Sequence, residues 1–535
     1  MTKTRHAIAN PHWIALALVA AVPAQAQPAP QWGFWSTWGD QNDGTYRNPV
    51  MPADFSDLDA IRVGGDYFAI SSTLHLSPGM AVLKSSDMVN WRLIGHVVPD
   101  MTVLGDEYRW DRMERFGRGV WAGTIRHHAN KFWVFFGTPD EGFFMSTAED
   151  PAGPWTPLHP LLEGPGWDDC TVLWDDDGQA YFLGTHFADG YKSYIMPMSA
   201  DGRSIDRSRA VLVNEGQGRE ASKLLKHRGW HYLLFSEHVE GKGRYLVARR
   251  ARHPMGPWSE IKQLADPNLD ASEPNQGGII EAPSGEHYFL THHGRSSWEG
   301  RAASLLPVSW IDGWPIIGRP DAQGIGTMVW GGPKPVQGTQ RASLVASEEF
   351  SSNTLGPHWE WNHQPQPGSW SLSERPGWLR LRAFKPIAPG DLGTTANVPS
   401  QRSMRTPANS VTVKLDMSRM ADGQHAGLGH IAKAFGALGV RQTGSRRIME
   451  YLGEGGSIAG PQLGGRNVWI RSRWGSDGQA AFAYSTDGIR FMPFGPAYQM
   501  SNAHYRGNRV SLYTYGDRVG TGSVDVDYFR YSYQN

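Results

Sequence analysis

One structural plan recurs five times between residues 60 and 290, and repetition of that length limits the available folds more than any other feature. A short opening strand is followed by a turn and then by a second, aromatic-rich strand. It is seen in Ala60-Ile61-Arg62-Val63 to Asp66-Tyr67-Phe68-Ala69-Ile70, and again in Thr124-Ile125-Arg126 to Lys131-Phe132-Trp133-Val134. Thr171-Val172-Leu173 to Ala180-Tyr181-Phe182-Leu183 and Lys223-Leu224-Leu225 to Trp230-His231-Tyr232-Leu233 repeat it, as does Gly278-Ile279-Ile280 to His287-Tyr288-Phe289-Leu290. Three copies close on a turn and a tryptophan: Asp87 to Trp91, Asp150 to Trp155, and His253 to Trp258. A period of roughly 50–60 residues with about four strands per unit predicts propeller blades. The alternative for such a pattern is an ordinary β-sandwich.

Beyond Gly331-Gly332-Pro333-Lys334-Pro335 the rhythm stops, and strands such as Val411-Thr412-Val413-Lys414-Leu415 alternate apolar and polar residues. That alternation suits a sandwich whose sheets each keep one wet face. The expected organisation is all-β: a signal segment at 1–26, a five-bladed propeller at 27–320, a linker at 321–344 and a β-sandwich at 345–535. The signal is read from Lys3, Arg5 and His6, the apolar run Trp13 to Val22, and Ala24-Gln25-Ala26 as a small-x-small cleavage site. The run is too short for a bilayer span, so an exported chain, periplasmic or secreted, is expected. Cys170 is the single cysteine, which excludes an intramolecular disulfide. A net charge of -1 offers no footprint for nucleic acid or an anionic membrane. The 23 tryptophans suit either β cores or the apolar faces of sugar rings.

A propeller gathers the first strand of every blade around its axis, so residues at those strand openings converge on one end of the channel. Asp57 lies just before the first opening strand, Asp169 at the third and Glu220 at the fourth. Strand alternation would put them on the faces of Asp59, Thr171 and Ser222. Acids beside apolar runs must be paired or line a wet cavity. Glycoside hydrolysis needs one protonated carboxyl at the leaving oxygen and a second carboxylate across the ring, and a third acid can raise the donor's pKa. The plain reading of any one of these residues is a solvated turn acid; the shared placement favours the chemical reading.

These segments resemble glycoside hydrolase family 43. The likeness lies in Asn48-Pro49-Val50 through Asp54-Phe55-Ser56-Asp57-Leu58-Asp59, in Trp121-Ala122-Gly123-Thr124-Ile125, and in Asp169 through Gly178. Glu220-Ala221-Ser222-Lys223, Gly300-Arg301 and Asp312 through Gly318 extend it. Glu349-Phe350, Trp359 to Asn362 and Glu374 to Leu381 are similar to the concanavalin-like sandwich appended to xylosidase-like members. The resemblance implies an inverting hydrolase with Asp57 as general base, Glu220 as general acid and Asp169 as modulator and orienter. It would release β-D-xylose or α-L-arabinofuranose from plant cell-wall fragments such as xylan or arabinan, with no required cofactor. Arg301, His75, Trp121 and Gln276 are the candidate sugar contacts, Arg301 being expected to hold hydroxyls or Asp169.

Three departures from the family pattern stand out. Leu58 replaces the proline after the base, Leu74-His75-Leu76 replaces an aromatic-acid-aromatic run, and Gln276 stands where many members have an axial histidine. The last of these weakens the case for a structural calcium. Asp175-Asp176-Asp177-Gly178 is read as a hairpin turn, since an EF-hand loop counted from Leu173 would need an acid where Gly184 stands. No Gly-x-Ser-x-Gly elbow and no Asn-Asp-Pro-Asn-Gly motif occurs, against an esterase and a fructosidase. The rival readings are a non-catalytic sugar-binding propeller and a related hydrolase for another sugar.

Overall fold

The computed structural model describes residues 38–266, 274–293, 297–338, 341–516 and 522–534; the expected signal at 1–26 lies outside them. Five four-stranded antiparallel units follow one another in strict sequence order. Their opening strands are Asp59–Val63, Gly123–His128, Trp167–Trp174, Glu220–His227 and Pro274–Glu281. Each packs on the next, and the fifth returns to the first, which closes the ring of a five-bladed propeller. The aromatic second strands fill the space between blades: Phe135, Phe136, Phe182 and Phe235 are fully buried. The tryptophan turns finish the blades' outer edges. In the first, the Asp87 carboxylate accepts the Val89 and Asn90 N–H groups, and buried Trp91 donates its indole N–H to the Met88 carbonyl.

Closure demands a glycine. A Cβ on Gly278 would lie 2.5 Å from the backbone nitrogen of Ala60, so blades five and one could not meet with any larger residue there. The Asn48 side chain completes the seam, accepting from the Leu305 N–H while donating to the Leu305 and Val329 carbonyls.

The second domain is a sandwich of two large sheets. One of them contains Glu360–Asn362, Pro399–Arg402, Gln424–Ile431, Phe435–Thr443 and Arg509–Gly516. Its edge strand comes from the propeller, because Leu76–Ser77 pairs with Trp361 and Asn362. The other sheet is centred on Ala408–Asp416, flanked by Asn467–Trp474 and Ser523–Gln534. Within the stretch 321–344, expected to be a linker, two described segments pair with propeller strands. Gly326–Thr327 adds to the fourth blade beside Ala265, and Gly331–Pro333 pairs with Thr45–Arg47. Lys334 is buried between the carboxylates of Asp40, at 2.7 Å, and Asp87, at 2.9 Å. A turn-rich sequence looks like a tether; its backbone groups find partners because both sheet edges were open.

A buried ionic cluster joins the domains. Asp54 of the propeller binds Arg506 at 2.5 Å and Arg509 at 3.1 Å, while Glu360 binds Arg402 at 2.9 Å and Arg509 at 3.0 Å. All five side chains are buried. Burial works against the Glu360 anion, yet Arg402 and Arg509 hold its pKa well below the ordinary carboxylate range. Backbones also touch: a Cβ on Gly300 would lie 2.5 Å from the Gly507 nitrogen. The two domains therefore share one interior.

Candidate active site

The propeller axis opens into a cavity of about 590 Å³ whose lining includes Asp57, Asp169, Glu220, Trp121, Gln276 and Arg301. The three acids do meet, but simple strand alternation is not what aims them. The opening strand of blade three carries a bulge that leaves Asp169 unpaired between Asp168 and Cys170. Blade four skips register between Glu220 and Lys223. Asp57, Asp169 and Ala221 all have left-handed backbone, with φ of 55°, 48° and 66°. Such backbone costs of order 1–3 kcal/mol per residue and persists only where neighbours enforce it. The enforcing bonds are visible. The Asp57 N–H donates to His292 Nδ1 at 2.8 Å, and the Ala221 N–H donates to Asp169 Oδ2 at 2.7 Å.

Each carboxyl has its own partners. Asp57 accepts from Arg301 at 2.9 Å and from the Ser72 hydroxyl at 2.5 Å. Glu220 accepts from Arg244 at 2.6 Å through Oε1. Arg244 is held in turn, since it donates to the Gly218 carbonyl and the Ser236 hydroxyl. Asp169 takes the Gln276 amide on its other oxygen. Burial first, and then the negative charge of Glu220, raises the Asp169 pKa to about 6. The repulsion expected among the acids thus raises Asp169 itself. Neighbouring Asp168 lines the same cavity and is pushed well above the ordinary range, by burial and then by Asp169 and Asp57. Asp59, two residues past Asp57, serves the fold: although burial opposes it, Arg126 and Lys223 keep its pKa low, and it accepts from Thr124, Ile125 and Arg126.

The expected sugar contacts separate into two groups. Trp121, Gln276 and Arg301 line the cavity, and Arg301 binds Asp57 rather than Asp169. His75 does not line it. It is buried in the wall behind, packed on Phe116 and His363, where its Nδ1 accepts the Gly117 N–H at 3.1 Å. Burial first, then the charges of His363 and Arg506, drives its pKa well below 6.5, so it stays neutral. The sequence made His75 a candidate sugar contact, yet His363 of the second domain packs over it.

Sequence reasoning missed several lining residues. Phe116 and Arg118 come from the long connection between blades one and two, and Arg244 from the third strand of blade four. His504 and Tyr505 come from the sandwich, on a loop tied to the propeller by the Arg506 bond to the Ser72 carbonyl at 2.6 Å. The Arg301 guanidinium lies 4.2 Å from the centre of the exposed Tyr505 ring, so the second domain buttresses the group that holds Asp57. Gly117, with φ 74°, passes His504 so closely that a Cβ would sit 2.7 Å from the imidazole. The Asp175–Gly178 segment is a turn whose first carboxylate is bound by Lys226 and His231; among the described residues no group of three or more potential ligands could hold a metal ion.

Residues 46–315 match the family model described as Glycosyl hydrolases family 43. The chain belongs to glycoside hydrolase family 43. Residues 347–532 match the Beta xylosidase C-terminal Concanavalin A-like domain. A β-xylosidase of Formosa agariphila is 34% identical over 550 residues, spanning 93% of this chain and 92% of its own. A non-reducing-end α-L-arabinofuranosidase of Bacteroides ovatus is 27% identical over 369 residues, spanning 65% and 67%. The structure of a family 43 protein from Bacillus licheniformis superposes with a TM-score of 0.79 at 24% identity, covering 92% of this chain and all of that one, a likeness of fold. This family 43 chain is accordingly an inverting glycosidase.

Proposed function

We propose that the enzyme removes a terminal pentose from xylan-type fragments, with β-D-xylose as the preferred sugar, and that Asp57, Glu220 and Asp169 divide the work. Water attacks the anomeric carbon as Asp57 takes its proton, and the bond to the leaving oxygen breaks as Glu220 gives its proton to that oxygen. One C–O bond forms, one breaks, and solvent returns the two carboxyls to their starting states. Arg244 binds Glu220 Oε1, leaving Oε2 to carry the proton. Asp169 positions the acid through the Ala221 N–H, and this bond carries the reading: a buried carboxyl pinning a left-handed residue directly after the proton donor is of no use to a passive sugar-binding propeller. Xylose is favoured by the 34% identical relative that spans nearly the whole chain and by the C-terminal match. The basic-apolar-small pattern ahead of residue 27 supports export.

Aryl β-D-xylopyranoside and aryl α-L-arabinofuranoside, compared at equal concentration and followed by NMR of the first-formed sugar, test the proposal. Faster release from the xyloside with α-xylose appearing first is expected. First appearance of β-xylose would overturn the mechanism, and preference for the arabinofuranoside would overturn the substrate.

A further inference from the structure

The sandwich carries a second cavity, of about 580 Å³, on the sheet that receives no strand from the propeller. Its floor is two cross-strand rows on three adjacent strands. Arg530, Thr412 and Arg471 form one row, and Ser532, Ser410 and Arg473 form the other. Hydroxyls occupy the centre, arginines three of the four flanking positions and Ser532 the fourth.

An open sheet face ordinarily intersperses charges of both signs, because opposite charges across strands stabilise and like charges destabilise. Here the balance is one-sided. Arg530 pairs with Glu349 at 2.8 Å. Arg471 and Arg473, two residues apart on one strand and therefore on one face, have no carboxylate within ion-pair distance among the described residues. Arg471 is also immobilised: its Nε donates to Thr412 at 2.9 Å, and its guanidinium lies 3.6 Å from the centre of the Phe491 ring. Its pKa is lowered by burial and then by Arg473, which is the mark of a cation held beside another without an anion to relieve it. A merely solvated arginine would keep its rotamer freedom and turn from its neighbour.

We propose that this face is a second glycan-binding surface, which holds an anionic polysaccharide through the guanidinium groups of Arg471 and Arg473 over the hydroxyl floor of Ser410 and Thr412. A planar guanidinium fork binds oxyanions in a bidentate manner, and the serine and threonine hydroxyls can exchange hydrogen bonds with sugar hydroxyls. The anion is the carboxylate of a uronic acid or a sulfate ester, which share this chemistry. Binding the polymer here raises the local concentration of chain ends at the catalytic cavity without adding any contact to it.

Affinity electrophoresis of the full chain in a Glu220→Gln background tests the surface. The gels carry glucuronoxylan, its carboxyl-reduced neutral form, or sulfated xylan, at low and high salt. Retardation by at least one charged polymer, weakened by salt and reduced at least about tenfold in Arg471→Gln/Arg473→Gln, is expected. Whichever charged polymer retards the protein identifies the anion. Arg473 is exposed, so Arg473→Ala leaves the fold intact and should alone reduce retardation. With Glu220 restored, kcat/KM on an aryl glycoside should be unchanged in these variants. Equal retardation by the neutral polymer, or retardation unaffected by both substitutions, would overturn the proposal.

Discussion

Asp169→Asn separates what the buried Asp169 carboxyl costs the fold from the part in chemistry proposed for it. In the folded chain its pKa stands at about 6 against an ordinary 3.8, so folding favours the protonated form. A raised pKa contributes stability that is fully present below about pH 3.8 and is lost as pH rises through 6. At 1.36 kcal/mol per pH unit, the loss is about 3 kcal/mol. Asparagine is a neutral isostere: its oxygen can accept the Ala221 N–H, and its amide can face the Gln276 oxygen after that amide turns over. The variant should therefore match wild type in stability near pH 4 and exceed it at pH 7.5, by up to about 3 kcal/mol. Urea denaturation at the two pH values reads the difference directly. Activity should move the other way, with kcat/KM on an aryl glycoside falling on the order of 10²-fold as Glu220 loses its charged neighbour. A variant no more stable than wild type at pH 7.5, relative to their difference at pH 4, would refute the argument that Asp169 is a buried anion held at a cost.

Glu220→Gln should lower kcat on a xylo-oligosaccharide by about 10²–10⁴-fold but spare aryl glycosides with good leaving groups, whereas Asp57→Asn should disable both; steady-state kinetics on the two substrates separate the roles. Tyr505→Ala removes a ring stacked on Arg301 and should cost about 0.5–2 kcal/mol of transition-state stabilisation, read as kcat/KM, with little change in melting temperature because the ring is exposed. Arg506→Ala leaves Asp54 short of its nearest cation and should destabilise the chain by about 3–5 kcal/mol, measured by denaturation. A propeller ending at residue 345 should lack activity, since it loses His504, Tyr505 and the arginines that neutralise Asp54.

The repeated strand-turn-strand units, with their closing tryptophans, were enough to predict five blades, because each blade is a local meander whose pattern is complete within its own stretch of chain. The acids were legible for the same reason: Asp57, Asp169 and Glu220 stand at blade openings, and a propeller's symmetry makes such positions neighbours. Their aiming was not legible. Bulges at Asp169 and after Glu220, and left-handed backbone at three positions, depend on bonds from His292 and between blades. His75 shows the limit most clearly, since its sequence made it a candidate sugar contact, whereas the neighbouring Leu76–Ser77 pairs with the sandwich and His75 packs on Phe116 and His363.

What the linear chain determined by itself is the set of blades, the alternating strands of the second domain and the placing of three acids at blade openings, all of which follow from local periodicity. Tertiary structure alone decided that Gly326–Thr327 and Gly331–Pro333 pair with propeller strands, that Tyr505 reaches Arg301 from about 200 residues away in sequence, and that Arg244 faces Glu220. The physical reason is that local periodicity records which face of a strand is buried, whereas partners across a domain boundary are selected by shape and charge that no single segment contains.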